Sequence, residues 1–352
     1  MRSSEAELAF LGGGEWTRNI LSGYIRAYLY HALIKTGVID ALLASGSEGK
    51  TVEELAAGGK LRPHLLKGVL DYLLVADVVL DHREGRYSVN QLGQKVLTKN
   101  RAFLSLVLDN GIAAYGSILT ELLPALKGEK NYGVDFTRAG DVVARTSYHA
   151  GKDSYPWILA ELEKRQAKIV ADLCCGTAEL LIGFCRLAPG LKAVGIDIDR
   201  DAVREATERV KAAGLADRIT IVQGDVTQPQ SYADRLGEVD AFTCIGALHE
   251  FLRRGEEAVE RILRDMGSTF PGRYFVLGEF HALSEAAYRE LPLPARVSSA
   301  WYQHVVHPLS LQGLPLPREK WLELFARAGL TFEDMLPKFF LEPYLFRFPA
   351  RS

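Results

Sequence analysis

The chain has 352 residues, of which 48% are hydrophobic, enough for two domains with sizeable cores. Its 42 lysines and arginines are nearly balanced by 44 aspartates and glutamates, and the net charge of −2 argues against a nucleic-acid-binding surface. No apolar run approaches the roughly 18 residues of a membrane span, and the first residues lack the pattern of a signal peptide, so we expect a cytoplasmic protein with no membrane partner.

The first hundred residues have the pattern of a compact helical unit that ends in a small hairpin. Apolar residues recur at helical spacing from Asn19 onward, and Thr51 with Glu54 forms a capping box at the start of a later helix. The strands VVLDH and RYSVN, separated by the turn REG, predict a hairpin after two helices. This order of elements predicts a winged helix.

The second helix of this unit, RPHLLKGVLDYLLVA, bears on what the unit binds. A helix that reads DNA should present polar side chains to the bases, whereas this helix is predominantly apolar. We therefore expect it to be buried against a second subunit, and we expect no nucleic-acid partner.

Residues 101–165 have a helical pattern that is interrupted near Pro124 and around the segment GEKNYGVDFTRAGD. A third region follows, and the predicted domains are therefore 1–100, 101–165 and 166–352. The four cysteines, Cys174, Cys175, Cys185 and Cys244, all lie in the third region and fit no zinc framework. We expect them to be reduced thiols.

The stretch from Lys168 to Asp199, KIVADLCCGTAELLIGFCRLAPGLKAVGIDID, predicts a strand, a turn, a helix and a second strand. The first strand ends at Asp172, the turn surrounds Gly176, and the second strand ends at Asp197. An acidic side chain in the last position suits a ribose, because it can accept hydrogen bonds from both hydroxyls. The pattern GxGxxG is absent, so a dinucleotide is not indicated.

Two later segments continue this alternation of strands and helices. ITIVQGDVTQP places Asp225 after one strand, and VDAFTCIGALHEF places His249 after the next. In a doubly wound sheet, ligands bind beyond the carboxyl ends of the strands, which is where Asp172, Asp197, Asp225 and His249 fall. The predicted fold class is α/β, with a Rossmann-like doubly wound sheet.

These segments together resemble the class I S-adenosylmethionine (SAM) methyltransferases. The resemblance implies SAM as cofactor, with the turn facing its amino-acid end and Asp225 recognising the adenine amine. The small positions of the usual turn are here Cys174, Gly176 and Ala178, and only one of them is glycine. The predicted cofactor residues are Asp172, Cys174, Gly176, Asp197, Ile198, Asp225 and Val226.

The N-terminal unit, including the segment GRYSVNQLGQKVL, resembles the dimerisation domain of small-molecule O-methyltransferases. The resemblance implies a homodimer formed through this unit. It also implies that the helical residues 101–165 cover the cofactor and line a cavity for a small-molecule substrate.

His249 stands where plant-type O-methyltransferases carry their catalytic base, and here it is followed by Glu250. An imidazole can take the proton from a hydroxyl group as its oxygen attacks the methyl group of SAM. His249 and Glu250 are therefore the predicted catalytic residues.

The insertion SSAWYQHVVHPLSLQGLPLP is similar to that of a smaller family, the bacterial α-keto acid C-methyltransferases acting on phenylpyruvate or 2-ketoarginine. In the phenylpyruvate enzyme, a histidine at the His249 position and one in the insertion hold a metal ion. Here His304 or His307 could be the second ligand, and we choose His304. An iron, nickel or zinc ion at this place would stabilise the enolate formed when C3 of a 2-oxo acid loses a proton.

Glu250 and Glu279 are expected at strand ends beside the pocket, where each could pair with a guanidinium by two parallel hydrogen bonds. This favours a substrate such as 2-ketoarginine, although Glu279 could instead contact backbone or a loop. The predicted substrate contacts are Glu279, His304, Trp301 and Tyr302, with Tyr148 and Tyr155 as further candidates for the pocket wall.

The leading hypothesis is therefore C-methylation of an α-keto acid, such as 2-ketoarginine, at a metal held by His249 and His304. The alternative is metal-free O- or N-methylation, including methylation of the guanidino group of arginine, with His249 as base and Glu250 and Glu279 binding the substrate. A non-enzymatic alternative is a SAM-binding regulator whose winged helix touches DNA.

Overall fold

The computed structural model of the chain describes residues 14–140, 142–143, 151–338 and 341–350. The chain divides into two compact units, Met1–Ala113 and Ala114–Ser352. Each unit is described by itself below.

The first unit is helical with one small hairpin. Thr51 and Glu54 form the predicted capping box, in which each side chain accepts a hydrogen bond from the backbone of the other residue. Leu80 pairs with Val89 at the open end of the antiparallel hairpin. In chain order the elements are α1 (Gly14–Lys35), α2 (Val38–Ser45), α3 (Val52–Gly59), α4 (Pro63–Ala76), β1 (Leu80–Arg83), β2 (Arg86–Val89) and α5 (Gln91–Leu108).

The boundary expected at residue 100 falls inside α5, where continuous helical hydrogen bonding leaves no place for a linker. The units instead meet in sequence after Ala113, and the described residues between Ala114 and Lys164 belong to the second unit.

The second unit is built on a mixed seven-stranded sheet. Its strands are β3 (Ile169–Leu173), β4 (Lys192–Asp197), β5 (Ile219–Gln223), β6 (Ala241–Ile245), β7 (Tyr274–Phe280), β8 (Thr331–Met335) and β9 (Leu341–Arg347). The strand order is β5-β4-β3-β6-β7-β9-β8, with β3 to β7 parallel and β9 antiparallel to both of its neighbours. The chain therefore turns away from β3 in opposite directions toward β4 and β6, which makes a crevice at their carboxyl ends.

The helices of the second unit are α6 (Gly116–Thr120), α7 (Leu122–Leu126), α8 (Tyr155–Lys164), α9 (Glu179–Leu187), α10 (Arg200–Ala212), α11 (Glu256–Thr269), α12 (Glu285–Glu290), α13 (Leu293–Trp301), α14 (His307–Leu309) and α15 (Arg318–Arg327). Of these, α8 to α11 and α15 contribute residues to the two apolar cores that cover the sheet. A 3₁₀ turn over Leu248–Arg254 follows β6, and a π-helical turn over Tyr302–Val306 joins α13 to α14. The predicted α/β fold with a doubly wound sheet is confirmed.

Among the described helices, none has both the length and the hydropathy required to cross a membrane.

Candidate active site

The carboxyl ends of β3, β4, β5 and β6 surround a cavity of about 530 Å³, a size that suits a small ligand. All seven residues that the sequence predicted as cofactor contacts line this cavity: Asp172, Cys174, Gly176, Ile198, Asp197, Asp225 and Val226. Of the two further tyrosines predicted at the pocket wall, Tyr155 lines the cavity, and Tyr148 lies outside the described residues.

The turn after β3 is wound so that alternate residues take positive φ angles. The φ angles are 58° at Cys174, 53° at Gly176 and 61° at Ala178. Cys174 and Ala178 have a Cβ, and for such residues this left-handed conformation costs about 1 kcal/mol relative to the right-handed one. Within the turn, the N–H groups of Cys175, Gly176 and Ala178 already donate to Ile196 O, Asp197 and Cys175 O. The buried Thr177 hydroxyl has no hydrogen-bond partner in the described part of the chain and could contact a ligand.

Asp197 at the end of β4 is oriented by the backbone. One carboxylate oxygen accepts a hydrogen bond from Gly176 N at 2.8 Å, and the other accepts one from Asp199 N at 3.0 Å. Burial raises the pKa of Asp197 although these hydrogen bonds lower it. Each oxygen retains a lone pair, so the group can still accept from the hydroxyls of a ribose.

Asp172 is the most buried acid of the cavity. Its Oδ1 accepts a 2.6 Å hydrogen bond from the Thr243 hydroxyl on the neighbouring strand. Burial raises the pKa of Asp172 to about 7, with Asp197 adding to the rise and the bond from Thr243 opposing it. The negative charge in this part of the cavity is therefore available mainly at and above neutral pH.

Asp225 after β5 is fixed by its own turn, since its Oδ1 accepts hydrogen bonds from the backbone and the hydroxyl of Thr227 at 2.9 and 2.8 Å. Ile198 nearby is 63% exposed and offers an apolar face at the cavity. The fixed carboxylate of Asp225 suits hydrogen bonding to the edge of a planar base, and the apolar side chain of Ile198 suits packing against its face.

His249 lies on the 3₁₀ turn after β6 and is held from behind by Glu279 of β7. Its Nδ1 is 2.9 Å from Glu279 Oε2, while Glu279 Oε1 accepts a 2.6 Å hydrogen bond from Leu248 N. Because a carboxylate only accepts, the proton of the neutral ring is on Nδ1 and the lone pair is on Nε2. Ala247, Glu250 and Phe280, which flank this pair in the chain, all line the cavity.

The histidine beside His249 is His307, which corrects the choice of His304. The ring centroids of His249 and His307 are 4.9 Å apart, whereas His304 is exposed and its ring lies against Tyr288. In an α-helix, residues three positions apart share a face, but the wider π-helical turn over Tyr302–Val306 rotates His307 away from the face of His304.

His307 is buried, and its Nδ1 has no hydrogen-bond partner in the described ranges. Burial, together with the proximity of His249 and Arg138, lowers the pKa of His307 to about 3. The ring is therefore neutral and presents a nitrogen lone pair or an N–H group rather than a charge.

Glu250 and Glu279 do not form the predicted clamp for a guanidinium, because both carboxylates already have partners. Glu250 Oε1 accepts from Arg138 at 2.7 Å and from Gln312 at 3.0 Å, and Glu279 is fully buried against Leu248 and His249. Burial alone would raise the pKa of Glu250, but Arg138 and His249 hold it below its ordinary value.

The aromatic predictions have different outcomes. Tyr302 lines a second cavity of about 10 Å³, together with Phe280 and His307, so it lies on the His249 side of the site. Trp301 packs with Val306 in a small apolar cluster and does not line either cavity in the described part of the chain.

Several site residues were not identified from the sequence. Arg138 is an isolated basic residue in a polar loop, and Gln312 and Gly313 lie in the insertion, so only the fold brings them to the turn that carries His249. A Cβ on Gly313 would lie 2.4 Å from the carbonyl oxygen of His249. The only sequence signal was a glycine in a stretch rich in leucine and proline.

The structure does not supply enough ligands for the metal site that the sequence resemblance implies. His249 and His307 bring two imidazoles together, but no group of three or more His, Cys, Asp or Glu side chains able to hold a metal occurs among the described residues. His281 is not a further ligand, because it is engaged by Glu342 and Tyr344. The described residues therefore do not form a closed metal site.

Comparison with known proteins finds a methyltransferase domain and a methyltransferase relative. Residues 170–267 match a family described as "Methyltransferase domain". The chain is 23% identical to "Methyltransferase ungE'" of Aspergillus campestris over 336 residues, which is 90% of this chain and 93% of that protein.

Solved structures with the same fold include the mitomycin 7-O-methyltransferase MmcR, with a TM-score of 0.68, 18% identity and coverage of 97% of this chain and 99% of that one. Human N-acetylserotonin methyltransferase, solved in complex with SAM, has a TM-score of 0.60, 19% identity and coverage of 98% and 99%. Identities this low show a shared fold, and the family match covers the sheet region that forms the cavity.

Proposed function

We propose that this chain, a SAM-dependent methyltransferase of small molecules, methylates a hydroxyl oxygen with His249 as general base. The observation that carries the proposal is the pair of His249 and Glu279, whose neighbours in the chain, Ala247, Glu250 and Phe280, line the cofactor cavity. A base whose Nδ1–H is held by a buried carboxylate presents Nε2 in one tautomer and one orientation.

In this mechanism the turn after β3 and Asp197 would hold SAM, which would supply the methyl group. The substrate oxygen attacks the methyl carbon in line with the departing sulfur as Nε2 of His249 takes the hydroxyl proton. The C–O bond forms, the C–S bond breaks, and S-adenosylhomocysteine (SAH) leaves. Glu279 stabilises the imidazolium that results, because its carboxylate already accepts from Nδ1.

His249 is only 2% exposed, and Phe280 and His307 lie against its ring. The adjoining cavity of about 10 Å³ holds at most about one water molecule. We infer that the substrate displaces side chains of the π-helical turn as it binds, since this cavity, as the described residues form it, is too small for a substrate.

The test is transfer of labelled methyl from SAM to three acceptor classes: phenols, phenylpyruvate and arginine. We expect methylation of a phenolic oxygen, a loss of roughly 10²-fold or more in kcat for His249→Ala, and nearly unchanged SAH affinity. His304→Ala, which alters an exposed histidine of the same segment, is the matched control and should remain active. A His249→Ala variant with full activity would refute the proposal.

A second candidate, C-methylation of an α-keto acid such as 2-ketoarginine at a divalent metal, is favoured by one observation. His249 and His307 lie side by side, and Nδ1 of His307 has no partner among the described residues. Metal content after loading with iron, nickel or zinc tests it. Near-stoichiometric metal that is lost in both His249→Ala and His307→Ala, with label on a carbon of phenylpyruvate, would favour this candidate over O-methylation.

We also propose that the first unit forms a homodimer contact through α1. Large apolar side chains remain exposed on this helix at Ile20, Leu21, Tyr24 and Tyr28, with exposed fractions of 55, 57, 62 and 41%. Residues at these spacings lie along one side of a helix, and a contiguous apolar surface of this kind favours association with a second copy of the chain.

A further inference from the structure

Two cysteines lie near each other beside the cofactor cavity, one directly after β3 and one within β6. Cys174 follows β3, has an exposed side chain and lines the cavity. Cys244 is fully buried within β6, the strand that pairs with β3. The proposed methyl transfer uses neither thiol.

The strand register brings the two cysteines within reach of each other. Asp172 is level with Thr243, so Cys174 lies one residue beyond the level of Cys244. A strand spacing of about 4.8 Å and a rise of about 3.3 Å per residue would separate their Cα atoms by about 6 Å. Disulfides join Cα atoms separated by roughly 4.4–6.8 Å.

Interactions of the two thiols also indicate that the cysteines lie close together. A hydrogen bond with the thiol of Cys174 raises the pKa of Cys244. Burial raises the pKa of the Tyr232 hydroxyl, and the thiols of Cys174 and Cys244 add to the rise. The positive φ of 58° at Cys174 turns its side chain out of the ordinary strand direction.

We propose that Cys174 and Cys244 form a reversible disulfide when the protein meets a hydroperoxide, and that this disulfide blocks binding of the cofactor. The inference concerns the redox state of the turn and does not depend on which substrate atom is methylated.

The steps balance as two successive reactions. The Cys174 sulfur attacks the peroxide, is oxidised to a sulfenic acid and releases water or an alcohol. The Cys244 sulfur then attacks that sulfenic acid, the S–S bond forms as the S–O bond breaks, and the hydroxyl group leaves as water with the thiol proton. Cys174 reacts first because it is exposed, whereas Cys175 and Cys244 are buried. Burial raises the pKa of Cys175, and the hydrogen bond with Cys174, together with burial, raises that of Cys244.

Loss of cofactor binding follows from what the turn does. Cys175 N donates to Ile196 O at 3.0 Å and Gly176 N donates to Asp197 at 2.8 Å, so the turn and the ribose-binding acid are coupled. A disulfide would tie the Cys174 side chain to β6 and so change the cavity wall that Cys174 forms. Conversely, bound cofactor covers Cys174 and should protect it.

The experiment treats the reduced full chain with hydrogen peroxide, maps disulfides by mass spectrometry of unreduced peptides, and measures SAH affinity by calorimetry. We expect a Cys174–Cys244 peptide, a fall in SAH affinity of at least about tenfold, recovery with dithiothreitol, and slower formation when SAH is bound. Cys244→Ala should form no such disulfide, whereas Cys185→Ala, whose thiol lies in the other core, should form it as the wild type does.

Cys174→Gly provides a variant whose backbone suits the turn, because glycine adopts positive φ without strain. This variant should bind SAH before and after peroxide with equal affinity. Three outcomes would overturn the proposal: Cys174 that remains open to alkylation after peroxide, a bridge from Cys174 to Cys175 instead, or a mapped Cys174–Cys244 bridge with unchanged SAH affinity.

Discussion

At the residue scale, the carboxylate of Glu279 controls how His249 can act. It accepts from two different donors, Leu248 N and His249 Nδ1, and a glutamine has only one acceptor oxygen on its side chain. Glu279→Gln must therefore either lose one of these bonds or drive His249 to the tautomer in which Nε2 carries the proton. Glu279 is thus a positioning residue for the proposed base.

We expect Glu279→Gln to lower kcat by roughly 10²-fold, to change the pH profile of kcat and to leave SAH affinity nearly unchanged. Steady-state kinetics across pH and calorimetry with SAH test this. Glu342→Gln is a matched control, because Glu342 is the equally buried glutamate directly opposite on β9 and is bound to Arg318. Equal loss of kcat in both variants would contradict a specific role for Glu279.

The raised pKa of Asp172, about 7, predicts a pH dependence of cofactor binding. An acid whose folded pKa lies above its unfolded value favours folding at low pH, and this contribution is lost as pH rises through about 7. The ionised form in turn favours the cationic cofactor, so SAM affinity should rise with pH toward about 7 and then level off. Below that pH, binding should release a proton.

Calorimetry of SAM binding in buffers of different ionisation enthalpy measures how many protons are released on binding. The measurements should run from pH 5.5 to 8.5, about three pH units around the titration of Asp172. Asp172→Asn should flatten the dependence, and Thr243→Val should move it to higher pH, since the bond from Thr243 lowers the pKa. A wild-type affinity that is constant over the range would exclude Asp172 as the linked group.

At the scale of elements, the insertion and the turn that carries His249 are packed against each other. A Cβ on Gly313 would lie 2.3 Å from Leu252 Cβ and 2.4 Å from His249 O, and both neighbours are too constrained to move freely. The position of His249 therefore depends on a glycine that lies 64 residues later in the chain, counted from their numbers.

Gly313→Ala should displace the 3₁₀ turn over Leu248–Arg254, because overpacking of this kind costs about 1–3 kcal/mol. We expect a lower Tm and a larger proportional loss in kcat than in SAH affinity, measured by thermal unfolding, kinetics and calorimetry. Gly190→Ala, at an exposed position with open space around it, is the control and should change none of these. A Gly313→Ala variant with normal kcat would show that the turn tolerates the shift.

At the scale of the whole molecule, the proposed homodimer can be tested against the mass of one chain, 38.9 kDa. Wild type should sediment with twice this mass, and the double variant Leu21→Glu/Tyr24→Glu should be monomeric, because charges on the exposed side of α1 oppose burial. Leu187→Glu, at a similarly exposed leucine on α9, should leave the mass unchanged. A monomeric wild type at micromolar concentration would exclude the contact.

Sequence patterns determine the α/β alternation, the capping box, the hairpin and the position of the acids at strand ends. These are local properties, since strand periodicity, capping and the rule that ligands bind beyond the carboxyl ends of parallel strands operate over short stretches. For this reason Asp172, Asp197 and Asp225 could be predicted, and the structure brings them to one cavity.

Only the tertiary structure decided what the polar residues contact. His307 rather than His304 lies beside His249, because a π-helical turn changes the face on which each side chain lies. Glu279 holds His249 and Glu250 pairs with Arg138, because β7, the insertion and a loop near residue 138 converge there. Such partners are far apart in the chain, and a buried charge is defined by the neighbours that compensate it, which local sequence does not specify.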